Sequence, residues 1–276
     1  MPNITAAHSH AGKAELYYED HGIGTPVVLI HGYPLDARFW EKQIPALLAA
    51  GHRTVAYDRR GFGRSAASPD GSDFDTFAAD LNAVLEALDL ADAVLIGQGM
   101  GTGEVIRYLG TYGAGRVSKA VLLAPLPPFL LRTEETPHGV DLAYFDEQIA
   151  RAREDPVGFL TAFAGDMFAG AADAPETAIQ SWTEAAATLS PRTCAAAIPT
   201  WITDFRADVA AVSRLDLPIL ILHGSADRIL PIDATAHPLR KLLPTATFIE
   251  LPGAPHGMQW THADSVNRAL VRFLLS

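Results

Sequence analysis

Residues 93–104 read AVLIGQGMGTGE. The stretch begins with four apolar residues and continues with glycines at every second position, which are Gly97, Gly99, Gly101 and Gly103. A short, continuous apolar run is typical of a buried parallel strand. Residues 104–112 have the composition of a helix. The segment therefore predicts a strand that turns sharply into a helix, with Gly99 at the turn.

Strand-like and helical segments alternate on both sides of this turn. We predict strands at 14–20, 26–32, 53–58, 93–97, 119–125, 218–224 and 246–251, and helices at 40–50, 77–88, 104–112, 234–243 and 264–275. Such alternation indicates a parallel sheet, because each parallel crossover needs a covering helix. The predicted fold class is α/β, with a mostly parallel central sheet of about eight strands and helices on both faces.

One long segment interrupts the alternation. Residues 126–212 hold no clear buried strand, are rich in Ala, Pro, Phe and Trp, and include helical stretches at 141–153 and 176–188. The segment is too long to be a loop. We predict a core domain made of residues 1–125 and 213–276, with residues 126–212 inserted in it as a helical cap.

The composition excludes several classes of function. The 276 residues are 49% hydrophobic and carry a formal net charge of −11, which argues against nucleic-acid binding because phosphates need clustered Lys and Arg. The sequence shows no run of about 18 apolar residues and no signal pattern, so no membrane contact is expected and the cytoplasm is the default location. The single cysteine, Cys194, has no partner thiol, and we interpret it as structural. No metal-ligand spacing is visible, so no metal is predicted.

The glycines fit nucleotide-binding motifs poorly. A dinucleotide site requires G-x-G-x-x-G after the first strand of the sheet. Counted from Gly97, the sixth position is Thr102, and counted from Gly99 it is Glu104. The phosphate-loop pattern G-x-x-x-x-G-K-[ST] does not occur in the sequence either. Nucleotide binding is therefore not predicted.

The turn matches a nucleophile elbow, G-x-S-x-G, except that Gly99 stands where the serine would be. An elbow requires an acid and then a histidine later in the chain. Asp227 follows the strand predicted at 218–224, and His256 follows the strand predicted at 246–251. Asp233 immediately precedes a helical segment and is interpreted as a helix cap. The order predicts the scaffold of a catalytic triad that lacks its nucleophile.

Further segments carry a wider likeness: LYYEDHG (16–22), VVLIHGYPLD (27–36), YDRRGFGRS (57–65), DTFAADLNAVLEALDL (75–90), GMGTGEVIRYLGTYG (99–113), FLLRTEETPHG (129–139), WITDFRAD (201–208), ILHGSADRILPI (221–232) and GAPHGMQWTHADSVN (253–267). On these segments the sequence resembles the α/β-hydrolase superfamily, and more narrowly its cofactor-free bacterial haloperoxidase and esterase (perhydrolase) group. The group has serine within G-x-S-M-G, whereas residue 99 is glycine here. The resemblance implies a carboxylester hydrolase or perhydrolase without a cofactor. The aromatic residues of the predicted cap favour a small apolar ester, acid or lactam-like substrate. The resemblance leaves a homo-oligomer open.

The resemblance also implies roles for individual residues. Asp227 would orient His256, and His256 would act as general base and acid. The backbone N–H groups of Tyr33 and Met100 would form the oxyanion hole. The candidate walls of the substrate pocket are the side chains of Tyr33 and Met100 together with His31, Gly32, Trp40, Phe129, Phe163, Phe168, Trp182 and Trp201.

Gly99 leaves three interpretations open, because loss of a serine nucleophile costs on the order of a million-fold in turnover. The chain is an inactivated or engineered hydrolase, or a natural Ser-independent enzyme that uses the Asp227–His256 pair as general base, for example a lyase, cyclase or hydrolase of secondary metabolism. Otherwise it is a non-catalytic binding protein or assembly scaffold. We also expect a water or a ligand oxygen near the place of the missing serine oxygen, within reach of His256.

Overall fold

The computed structural model describes residues 2–8, 12–66, 71–168 and 176–276. Within these ranges, eight strands form one sheet in the order β1-β2-β4-β3-β5-β6-β7-β8. The strands are β1 (Asn3–His8), β2 (Gly12–His21), β3 (Pro26–Ile30), β4 (Arg53–Tyr57), β5 (Ala93–Gln98), β6 (Val117–Leu123), β7 (Ile219–Gly224) and β8 (Thr247–Leu251). The β1–β2 and β2–β4 pairs are antiparallel, and the other five pairs of the described sheet are parallel. The predicted α/β class with a mostly parallel sheet is confirmed.

The sequence did not predict β1, which lies at the edge of the sheet and pairs only with β2 among the described strands. Its residues do alternate, with Ile4 and Ala6 buried and Thr5 exposed. The signal is weak because only two short side chains carry it. The central strands β3 and β5 are buried along nearly all of their length, and their continuous apolar runs made them easy to predict.

Six of the described α-helices flank the strands at the two ends of the chain: α1 (Ile44–Ala49), α2 (Phe74–Ala87), α3 (Met100–Tyr112), α9 (Ala236–Leu242), α10 (Met258–Thr261) and α11 (Ala263–Leu274). In α2 the apolar residues Phe77, Leu81, Val84 and Leu85 lie on one buried face. This helix begins at Phe74 because the Asp73 carboxylate accepts the Thr76 N–H at 2.8 Å.

Five described α-helices lie between β6 and β7: α4 (Leu142–Glu154), α5 (Pro156–Phe168), α6 (Glu176–Ala186), α7 (Pro191–Ala197) and α8 (Arg206–Val212). The described part of this segment adds no strand to the sheet and forms only an isolated bridge between Leu131 and Val140. Residues 169–175 of the predicted cap lie outside the described residues. The domain boundaries at 126 and 212 stay a prediction.

None of the helices in the described ranges combines the length and the apolar character needed to cross a bilayer.

Candidate active site

The turn between β5 and α3 has the backbone of a strained elbow. Gly99 lies between the two elements with φ 51° and ψ −118°. Only glycine adopts a positive φ of this kind without steric cost. At Gly101 an added Cβ would lie 2.3 Å from the Ile30 carbonyl oxygen, so the start of α3 rests directly on the end of β3. The glycines therefore allow the sharp turn that the sequence predicted, and they allow α3 to approach β3 closely.

Asp227 and His256 meet at the same edge of the sheet. His256 Nδ1 lies 2.7 Å from Asp227 Oδ2, and both side chains are buried. The other carboxylate oxygen accepts the N–H groups of Ile229 and Leu230, at 2.9 and 2.8 Å. These bonds hold the carboxylate in place and direct it toward the His256 ring.

The surroundings of Asp227 keep its carboxylate ionised. Burial by itself would raise its pKa, but the neighbouring His256 and a hydrogen bond from His223 hold the pKa of this carboxyl well below its usual range. His223 Nε2 lies 3.3 Å from Asp227 Oδ2 and also donates to the Leu230 carbonyl at 2.9 Å. An ionised partner at Nδ1 selects the His256 tautomer with its proton on Nδ1 and its lone pair on Nε2.

The free ring nitrogen of His256 faces position 99. A Cβ built on Gly99 would lie 3.0 Å from His256 Nε2 and 3.3 Å from Cε1, which is tighter than an ordinary contact. The sequence led us to expect a water or ligand oxygen beside this nitrogen. That expectation stays a prediction, and the side-chain amide nitrogen of Gln98 lies 2.9 Å from His256 Nε2. A neighbouring side chain of the protein thus occupies the hydrogen-bonding position at His256.

Two backbone N–H groups are left without acceptors beside the elbow. Tyr33 follows β3 by three residues, and Met100 is the first residue of α3. Neither N–H donates to an acceptor in the part of the chain that the structure describes. The Met100 N–H belongs to the free N–H groups at a helix N-terminus, where the helix dipole favours negative charge. Both groups remain available to bind an oxyanion.

An apolar cavity opens next to His256. Its aromatic walls pack edge to face: the ring centroid of Tyr33 lies 5.3 Å from that of Phe163 and 5.0 Å from that of Trp201. The cavity is lined by Tyr33, Met100, Leu126, Leu130, Val140, Tyr144, Phe145, Phe163, Trp201, Ile229, Leu230 and His256. Such a lining suits an apolar ligand that presents one polar group to the histidine.

A model of the family described as α/β hydrolase fold matches residues 25–263. The chain belongs to the α/β-hydrolase fold family. A protein of a Synechocystis species, provisionally named a non-heme chloroperoxidase, is 47% identical over 99% of this chain and 100% of its own length. A bifunctional esterase/perhydrolase of Acinetobacter calcoaceticus is 33% identical over 95% of this chain and 96% of its own length. The crystal structure of a bromoperoxidase from Bacillus anthracis has a TM-score of 0.93 and 38% identity, with 100% of both chains covered.

These likenesses confirm the resemblance that the sequence motifs indicated. The chain is an α/β hydrolase of the non-heme haloperoxidase and esterase type. The homo-oligomer and the cytoplasmic location stay predictions.

The candidate pocket residues of this α/β hydrolase divide into separate groups. Phe163 and Trp201 line the cavity beside Tyr33 and Met100. Phe129 does not line the cavity. The Arg206 guanidinium lies 5.2 Å from its ring centroid, and Phe129 lines a surface groove instead.

Trp40, Phe168 and Trp182 also lie outside the cavity lining. They form an aromatic cluster with Phe39 and Trp260, in which the ring centroid of Trp182 lies 4.8 Å from those of Phe39 and Phe168. The cluster packs α5 and α6 against the turn that precedes α1. Composition alone could not separate an aromatic that anchors helices from one that lines a pocket.

His31 and Gly32 belong to the turn between β3 and Tyr33, which is called the oxyanion turn below, and their hydrogen bonds stabilise it. His31 accepts the Arg59 N–H at Nε2, at 2.9 Å, and its Nδ1 lies 2.8 Å from the Gly32 carbonyl oxygen. Burial, and then the positive charge of Arg59, lower the pKa of His31 to about 3. The ring is therefore neutral at physiological pH and serves as a hydrogen-bonded support outside the cavity lining.

Sequence reasoning assigned no role to Gln98 or His223, although both contact the Asp227–His256 pair. The position of each residue in the sequence could have indicated a role at the site. Gln98 is the last residue of β5, directly before the elbow position, and His223 stands four residues before Asp227 at the end of β7. Any polar side chain at the carboxyl end of a central strand can reach the shared edge of the sheet.

Proposed function

We propose that this chain binds small apolar carboxylic esters or acids in the hydrolase pocket, and that acyl transfer is absent because residue 99 has no hydroxyl. The observation that carries the proposal is the turn itself. Gly99 keeps the backbone of an elbow, and the buried Asp227–His256 pair is directed at it. The apolar cavity beside His256 and the free N–H groups of Tyr33 and Met100 support the same proposal.

A hydroxyl at residue 99 would complete an acyl-transfer mechanism. Its oxygen would attack the ester carbonyl while His256 Nε2 accepts the proton, and Asp227 would stabilise the resulting imidazolium. The N–H groups of Tyr33 and Met100 would bind the developing oxyanion. The ester C–O bond would then break as His256 gives its proton to the departing alcohol, which leaves the acyl group on residue 99. Water would release the acyl group as an acid, and peroxide would release it as a peracid able to oxidise halide. In this chain the reaction does not proceed beyond substrate binding, because residue 99 has no hydroxyl.

The substitution Gly99→Ser tests the proposal with p-nitrophenyl acetate. We expect turnover to rise by at least about a thousand-fold, a fraction of the roughly million-fold effect that a serine nucleophile contributes. The matched control is Gly99→Ser combined with His256→Ala, which keeps the hydroxyl and removes the base. Hydrolysis by Gly99→Ser at the level of this control would overturn the proposal.

A second candidate function is Ser-independent proton transfer by His256. The geometry of His256 favours it: Asp227 lies within hydrogen-bond distance of Nδ1, and the ring lines the cavity. A bound water or an acidic C–H of the substrate would then take the place of Gln98 at Nε2. This function requires turnover by the unsubstituted chain that His256→Ala abolishes, whereas the first proposal requires binding without turnover.

A further inference from the structure

The side chain of Gln98 is enclosed beside the histidine. Gln98 has no exposed surface, and its Nε2 lies 2.9 Å from His256 Nε2 and 3.5 Å from the His256 carbonyl oxygen. The carboxamide also touches the oxyanion turn, because a Cβ built on Gly32 would lie 2.0 Å from Gln98 Oε1. It therefore fits between β3 and His256 only because residue 32 is glycine.

The orientation of the carboxamide follows from the tautomer of His256. With its proton on Nδ1 facing Asp227, His256 can only accept a hydrogen bond at Nε2. Gln98 must then turn its NH2 group toward the ring, because the opposite orientation would face two lone pairs toward each other. Gln98 Oε1 is left buried without a hydrogen-bond partner among the described residues. The contact with His256 is thus made although it leaves a buried acceptor unsatisfied.

The imidazole lies where a nucleophile would need space. A side chain at residue 99 would have its Cβ only 3.0 Å from His256 Nε2, so the ring would have to retreat by a few tenths of an ångström to admit it. Gln98 donates to the same lone pair that a nucleophile hydroxyl would use. Gly99 and Gln98 therefore complement each other. Gly99 has no side chain to contact His256, and Gln98 donates the hydrogen bond that His256 Nε2 would otherwise accept from a nucleophile.

We propose that Gln98 is a positioning residue that occupies His256 Nε2 and holds the histidine out of proton transfer. The effect on catalysis rests on the proposed function, since it concerns the base of that same site. Its consequence is that Gly99→Ser alone restores only part of the activity. The new hydroxyl must compete with Gln98 for His256.

The first test needs no catalysis. The ¹⁵N resonances of the His256 ring are compared between the unsubstituted chain and Gln98→Met, at a pH where the ring is neutral. Methionine has nearly the same length and makes no strong hydrogen bond. We expect the Nε2 resonance to move downfield while the Nδ1–H signal persists, because only the acceptor bond at Nε2 is lost. Gln98→Leu serves as a second variant if Gln98→Met fails to fold. An unchanged Nε2 resonance would overturn the proposal.

The second test compares Gly99→Ser with Gln98→Met/Gly99→Ser on p-nitrophenyl acetate. We expect kcat to rise about five- to tenfold in the double variant, the effect of one competing hydrogen bond, with KM unchanged within about twofold. If Gly99→Ser is active and the double variant is no faster, the restraint by Gln98 is overturned and the proposed function stands. If both variants are inactive but the Nε2 resonance moves, the proposed function is overturned and the Gln98 contact stands.

Discussion

Four groups of the protein contact the Asp227 carboxylate and keep it ionised. The Ile229 and Leu230 N–H groups, His256 Nδ1 and His223 Nε2 all contact its two oxygens. The folded pKa of this carboxyl is depressed despite its burial. A depressed pKa means that the ionised carboxylate stabilises the fold above the unfolded value of about 3.9, and that this contribution is lost as the pH falls below it.

The substitution Asp227→Asn tests this linkage. We expect the variant to be less stable at pH 7 by about 1–3 kcal/mol, because it loses hydrogen bonds to a buried charge. The difference should begin to shrink as the pH falls below about 4 and should continue to shrink toward the depressed folded pKa, as the unsubstituted chain loses the contribution of the carboxylate. Urea unfolding at several pH values measures both curves. Asp233→Asn is the matched control, since the Asp233 side chain is 71% exposed and pairs only with His237 among the described residues. Parallel curves for Asp227→Asn and the unsubstituted chain would contradict the account.

At the scale of elements, the elbow depends on how closely α3 approaches β3. An added Cβ at Gly101 would lie 2.3 Å from the Ile30 carbonyl oxygen and 2.9 Å from that of His31. These are backbone atoms of a central strand and its turn, so they cannot move aside as a flexible side chain would. The position of Met100, and with it the proposed oxyanion hole, is set by this contact.

Gly101→Ala should therefore lower the free energy of unfolding by about 3 kcal/mol or more, through overpacking against backbone. Gly115→Ala is the control, because a Cβ at Gly115 meets no atom within 4 Å. We expect the control to stay within about 0.5 kcal/mol of the unsubstituted chain in urea unfolding. A similar, small effect at both positions would show that the helix can shift away from β3.

The elements differ in how well the sequence predicted them. β3 and β5 were predicted because they are buried on both faces and read as continuous apolar runs. β1 was missed because an edge strand with one buried face needs alternation, and Ile4 and Ala6 supply too little of it. Strand order along the chain indicated that Asp227 and His256 would lie near Gly99, and the structure brings these three positions together. Strand order could not show which side chain meets His256 Nε2, because that contact depends on distances across the sheet.

At the scale of the whole molecule, the aromatic residues between β6 and β7 fall into two groups. Trp182 packs against Phe39, Phe168 and Trp260, whereas Trp201 packs against Tyr33 and lines the cavity. Both tryptophans are buried, so neither composition nor exposure separates them. The separation comes from the element that each faces, which is a property of the tertiary fold alone.

Truncating these two tryptophans should separate stability from binding. Trp182→Ala should lower the free energy of unfolding by about 3–5 kcal/mol and leave the Kd for a probe acid such as phenylacetate within about twofold. Trp201→Ala should weaken phenylacetate about tenfold, because it removes an apolar wall of the cavity. Urea unfolding and isothermal titration measure the two quantities. Equal weakening of phenylacetate by both variants would contradict the assignment of the cavity.

The central claim is that the site is a hydrolase active site without its nucleophile, and pre-steady-state acylation tests it most directly. Gly99→Ser is mixed with excess p-nitrophenyl acetate, p-nitrophenol release is followed, and the protein is then analysed by mass spectrometry. We predict a burst that approaches about one equivalent per chain, an acetyl group on residue 99, and loss of both when His256→Ala is added. Neither a burst nor an acetyl adduct in a folded Gly99→Ser chain would contradict the account.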